Sequence, residues 1–103
     1  MADSKNKDDK IWLLLKCSRC DGELEQNVTR CLSENAAKKI MKKEIREAAG
    51  LRLDKNCSSM SWEKLSEKLD GEDYVLDYTK DASEAELYWM FAEDDIKWQV
   101  LSV

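Results

Sequence analysis

The chain contains no histidine and no proline, and it has only three glycines and one phenylalanine. Without histidine there is no imidazole base, no Ser–His or Cys–His pair and no imidazole metal ligand. Without proline there is no polyproline recognition motif and no Pro-rich linker. No glycine-rich phosphate loop is present. Long apolar runs are also missing. The segment "IWLLL" is too short for a secretory h-region or a membrane span, and the chain begins with the polar "MADSKNKDDK". A cytoplasmic chain, away from membranes, is therefore expected. In that compartment four cysteines are expected as free thiols or metal ligands rather than disulfides.

What is abundant is charge. Of the 103 residues 38% are charged, and the net charge is −5. The balance is divided along the chain. Residues 1–60 carry 13 Lys/Arg against 10 Asp/Glu, a balance of +3, while residues 61–103 carry 4 against 12, a balance of −8. A divided chain offers two ends of opposite sign, which favours charge-matched association. The alternative is that each block is a solvated face. At 43% hydrophobic residues the chain can build one modest core, so a single domain over 10–103 is expected behind a disordered tail at 1–9.

Local patterns supply the elements. "KIWLLLKC" reads as a strand and "ELEQNVTRCLS" as a second, joined through Asp21-Gly22 into an antiparallel hairpin. Ser33 or Asn35 can cap a helix that places Ala37, Ile40, Met41, Ile45 and Ala48 on one face, with Gly50 as its stop and Leu51 folded back on the last turn. Lys38, Lys42 and Arg46 line its outer side beside Lys39 and Lys43. "SWEKLSEKL" reads either as a helix capped by Ser61 or as the start of an apolar strand. "YVLDYT" is a strand with Tyr74, Leu76 and Tyr78 on one face. Ser83 to Glu86 fits an S-x-x-E capping box, which predicts a helix over Glu84–Glu93 burying Leu87, Met90 and Phe91. The aromatics of "ELYWMFA" favour a strand instead. "IKWQVLSV" ends the series as a strand. With the disputed segment taken as a strand, the order is ββαββαβ, an α+β ubiquitin-like roll with a mixed sheet packed against two helices.

In that order, "LDGEDYVLDY", "ASEAEL" and "AEDDIKWQVLSV" resemble the acidic turn, helix start and final strand of the Phox-and-Bem (PB-one) domain family. The last of these is similar to sequestosome-type members. "KIWLLL" resembles the family's first strand with its leading lysine. The resemblance implies a scaffold that binds other domains of the family, or itself, front to back. It assigns Asp70, Glu72, Asp73, Glu84 and Glu86 to an acidic interaction face and Lys10, Lys16 and Arg30 to a basic one. The ordinary reading makes Asp70-Gly71 a turn and Glu84 and Glu86 residues favoured by a helix dipole.

Other classes carry less support. Cys17, Cys20, Cys31 and Cys57 match the number of ligands of a structural zinc site, but only one C-x-x-C pair is present, so thiols without a cofactor are expected and a zinc-stabilised binding domain is the alternative. No nucleophile–base pair is readable, so no enzyme is expected. The basic helix stripe could meet nucleic acid, yet the net negative charge opposes that. A small acidic inhibitor, a decoy mimicking nucleic acid, fits the size and acidity, but the basic N-terminal half favours a scaffold. The four tryptophans are expected in the core, with Trp12 and Trp98 near each other or the helices.

Overall fold

In the computed structural model, which describes residues 11–103, the hairpin comes first, with β1 (Trp12–Cys20) paired in register with β2 (Glu23–Cys31). Its two-residue loop has φ 52° at Asp21 and 82° at Gly22. Positive φ at both central positions defines the tight turn whose twist matches the strands, and Asp-Gly is the pair that tolerates it. The expected tail at 1–9 and Lys10 lie outside the described residues.

Helix α1 (Glu34–Leu53) follows, and Ser33 caps it by accepting a 3.0 Å hydrogen bond from the Ala36 N–H. Ala37, Met41, Ile45, Ala48 and Ala49 are its buried face. Gly50 does not stop the helix, which runs to Leu53 and ends at a left-handed Asp54. Gly50 is needed for space, because a Cβ there would sit 2.8 Å from the Lys55 carbonyl oxygen as the chain doubles back. Leu51 points outward, 83% exposed, rather than folding back.

"SWEKLSEKL" is a helix, α2 (Trp62–Asp70), with Ser61 as cap and Trp62, Leu65 and Leu69 buried. The remaining elements are β3 (Tyr74–Tyr78), β4 (Glu84–Trp89) and β5 (Asp95–Ser102). The helix expected over Glu84–Glu93 is therefore a strand followed by a turn. Ala85 and Leu87 alternate into the core, while Met90 and Phe91 are exposed. Ser83 cannot cap a helix here, because its hydroxyl donates to Asp81 Oδ1 at 2.8 Å and its N–H donates to Thr79 Oγ1 at 3.0 Å.

Among the described residues the order is ββααβββ, and the sheet runs β2-β1-β5-β4-β3 with every neighbouring pair antiparallel. The fold is α+β, but the ubiquitin-like roll and its mixed sheet are not observed. Such a roll needs a strand where α2 stands and a helix where β4 stands. The spacing of Trp62, Leu65 and Leu69 decides the first, and the two-residue alternation of Ala85 and Leu87 decides the second.

Both helices lie on one side of the sheet. Leu14, Leu76, Ala85, Leu87, Trp98 and Val100 point toward them and form the core with α1 and α2. Trp12 packs against the edge of the same cluster. Among the described residues no helix is long and apolar enough to cross a membrane.

Candidate functional site

Among the described residues no element of secondary structure covers the opposite side of the sheet. Paired residues on antiparallel strands point to the same side, and successive residues alternate. With Leu14, Trp98 and Val100 facing the helices, the open side receives Leu13, Leu15, Cys17 and Arg19 from β1. It also receives Leu24, Gln26, Val28 and Arg30 from β2, Lys97, Gln99 and Leu101 from β5, Glu84 and Glu86 from β4, and Asp77 from β3. Leu13, Leu15 and Leu101 are half-buried, and Val28 and Leu24 are 63% and 56% exposed.

Two shallow grooves cross this side and share Lys97 and Gln99. One, of about 240 Å³, has Leu15, Cys17, Gln26 and Val28 in its walls. The other, of about 360 Å³, is lined by Asp77, Glu84 and Glu86. Glu86 stands opposite Lys97 on β5 and opposite Asp77 on β3. Its carboxyl is pushed above the ordinary range, first by burial and then by a hydrogen bond to Asp95, with Lys97 pulling the other way. The acidic groove therefore holds carboxylates that repel one another and would be relieved by an incoming cation.

The residues assigned to an acidic face fall into two groups. Asp70, Glu72 and Asp73 form the turn between α2 and β3, where the Asp73 N–H donates to the Asp70 carbonyl at 3.2 Å and the Asp73 backbone is left-handed. That turn lies beside Met90, whose N–H donates to the Asp73 carbonyl at 3.0 Å. Glu84 is six residues along β4 from Met90, about 20 Å away. Only Glu84 and Glu86 share a surface, and Asp77 joins them. The basic set is not gathered either. Arg30 stands opposite Leu13 and so on the open side, whereas Lys16 stands opposite Trp98 and faces the helix side. Lys10 lies outside the described residues.

The four cysteines are free and do not converge. Cys31 pairs with Trp12, five residues along β1 from Cys17, or about 17 Å. Cys57 is buried in the loop after α1, its thiol 3.8 Å from the Lys55 carbonyl oxygen. Cys20 is exposed at the hairpin tip, 3.9 Å from Asp21 Oδ2 and 4.0 Å from Asp94 Oδ2. Asp94 and Asp21 raise its thiol pKa by charge repulsion, which disfavours the thiolate that a metal requires. Cys20, Asp21 and Asp94 are the one group of candidate metal ligands among the described residues, and it is held together by the Asp21 N–H donating to Asp94 Oδ1 at 3.2 Å.

The outer face of α1 carries Lys39 and Lys43, which the sequence placed in its basic stripe, together with Glu47 and Leu51, which it did not. Lys39, Lys43, Glu47 and Leu51 recur every four residues and are all exposed. Their i, i+4 spacing was the available signal. No protein-family model matches the sequence, and no curated protein or solved structure is significantly similar to it.

Proposed function

We propose that this domain is a protein-interaction module that associates front to back with a second copy of itself, the open sheet side of one receiving the outer face of α1 of the next. The observation that carries this reading is the matching charge pattern on opposite surfaces of the same two-layer fold. Along α1 the exposed order is Lys39, Lys43, Glu47, Leu51. Across the open sheet the order is the acidic groove of Asp77, Glu84 and Glu86, then Lys97, then Leu15 and Val28.

The dimensions agree. The midpoint of the two lysines lies about 15 Å from Leu51 along the helix axis. From β4 across β5 and β1 to β2 is three strand spacings, about 14 Å. Laid across the strands, α1 brings its lysines to the carboxylates, Glu47 to Lys97, and Leu51 to the apolar groove. Each exposed ion pair contributes up to about 1 kcal/mol, so the contact depends on several charges in register and on Leu51 leaving water. The two surfaces differ, so the contact is heterologous and can propagate into a chain.

Sedimentation velocity at low and high salt tests this. The wild-type chain should form species larger than a monomer at low salt and return to monomer at high salt. Glu84→Lys/Glu86→Lys and Lys39→Glu/Lys43→Glu should each be monomeric alone and form a dimer when mixed, because each retains one working surface. A wild-type monomer at every salt would overturn the reading and leave the decoy class in its place.

A further inference from the structure

Lys42 and Arg46 stand one turn apart on α1, beside the stripe used for self-association but outside it. Lys38, one turn earlier, is paired with Glu34 at 3.3 Å. Among the described residues neither Lys42 nor Arg46 has a carboxylate within ion-pair distance. Both line a surface cavity of about 300 Å³ together with Ser61, Trp62, Tyr78 and Lys80. Arg46 Nε donates to the Met60 carbonyl at 3.0 Å, which holds the guanidinium beside the start of α2. Lys42 Nζ lies 5.6 Å from the centroid of the Trp62 ring. The Trp62 ring meets Tyr78 edge-on at 4.4 Å.

Two further features lie at this end of the cavity. Trp62 is only 9% exposed, yet its indole N–H is the one buried side-chain polar atom among the described residues with no hydrogen-bond partner. An orphaned buried donor costs about 1–3 kcal/mol. Trp62 is also the first residue of the nine-residue α2, where backbone N–H groups have no intrahelical acceptor and the dipole favours negative charge. Against three cations the cavity wall holds one carboxylate, Glu63. Asp81, next to Lys80, is turned into its own loop, where it accepts from the Ser83 N–H and hydroxyl.

We propose that this cavity binds a phosphoryl group, the dianion of a phosphate monoester, with Lys42, Arg46 and Lys80 as its charge partners and the Trp62 ring in its wall. A planar carboxylate would be satisfied by Arg46 alone. Here three cationic side chains arrive from α1 and from the loop after β3. That arrangement suits the three terminal oxygens of a tetrahedral group. The monoester can sit on a small molecule or on a protein side chain. The site uses none of the residues assigned to self-association and stands or falls separately from it.

Proton–nitrogen correlation spectra of the whole chain test this. The Trp62 indole signal is identified by its loss in Trp62→Phe. On titration with inorganic phosphate, against chloride at matched ionic strength, that signal should move saturably while those of Trp12, Trp89 and Trp98 stay in place. Lys80→Ala, at an exposed loop position, and Lys42→Gln should each weaken phosphate binding about tenfold, the equivalent of one charge-assisted hydrogen bond. A Trp62 signal that does not respond to phosphate, or an affinity in both variants that equals the parent's, overturns the proposal. Phenyl phosphate and a phosphoserine peptide, with its unphosphorylated form as control, separate the sources. Tighter binding of the phosphopeptide than of phenyl phosphate assigns the group to a protein, and equal binding assigns it to a small molecule.

Discussion

The indole N–H of Trp98 donates to Glu44 Oε1 at 3.1 Å, tying β5 to α1 across 54 residues of sequence. Trp98 is 1% exposed and lies among the largest side chains of the core. The bond lets a large aromatic residue be buried with its one polar atom satisfied. Replacing Glu44 by Ala should destabilise the domain by about 1–3 kcal/mol, because the indole N–H is then left without a partner. Trp98→Phe in the Glu44→Ala background should cost less than the sum of the two single changes. Denaturant unfolding of the four proteins of this cycle measures the coupling.

Gly50 gives a second prediction. In an exposed helix interior Gly→Ala is stabilising. Here the new Cβ meets backbone oxygen at 2.8 Å, and a carbonyl cannot rotate away as a side chain can. Gly50→Ala should therefore lose about 1–3 kcal/mol, the usual cost of overpacking. A rise in the thermal midpoint would mean that the Lys55 loop yields freely.

The raised carboxyl pKa of Glu86 sets a pH dependence. The folded state holds this proton more tightly than the unfolded chain does, so stability falls as pH rises from the ordinary value of 4.5 through the folded pKa. Glu86→Gln removes that penalty. The variant should be more stable than the parent at neutral pH, and the difference should close in acid, where both side chains are uncharged. Urea midpoints from acid to neutral pH would show the convergence. The same linkage acts on assembly: a lysine arriving in the groove favours the ionised carboxyl, so front-to-back association should release protons and weaken in acid.

Cys20 is exposed but slow to ionise, because the Asp94 and Asp21 carboxylates face its thiol. Asp94→Asn should lower its pKa and raise its alkylation rate severalfold at neutral pH, with the gap closing in strong base. Trypsin cuts after Lys16, Arg19 and Arg30, so mass spectrometry of the peptides separates Cys20 from Cys17. An unchanged rate would show that the two carboxylates do not govern the thiol.

These residues also show what was legible in advance. Asp21-Gly22, Ser33 and the buried face of α1 announced themselves, since turn geometry, capping and helical period are local properties. Trp62, Leu65 and Leu69 spoke for a helix, while an apolar edge leading into the turn at Asp70-Gly71 and the expected order of a roll argued for a strand. The strand at Glu84–Trp89 was obscured by an S-x-x-E pattern whose serine is engaged by Thr79 and Asp81. That engagement depends on a turn in which Ala82 is left-handed, and nothing in the sequence marks it. The acidic residues stood out in the sequence as a cluster. Their division into a turn and a groove depends on which end of β3 each one meets, and strand pairing decides that rather than proximity in the chain.

The sheet order has a consequence for biosynthesis. β1 is made first of all the strands, yet one of its two neighbours, β5, is made last. Until Trp98 and Val100 have left the ribosome, Leu14 and the buried face of α1 have no central strand to close over. The nascent domain should therefore wait as a hairpin and loosely held helices, with its apolar interior accessible to chaperones. Force or protease protection on stalled chains should appear abruptly, and only once β5 has emerged.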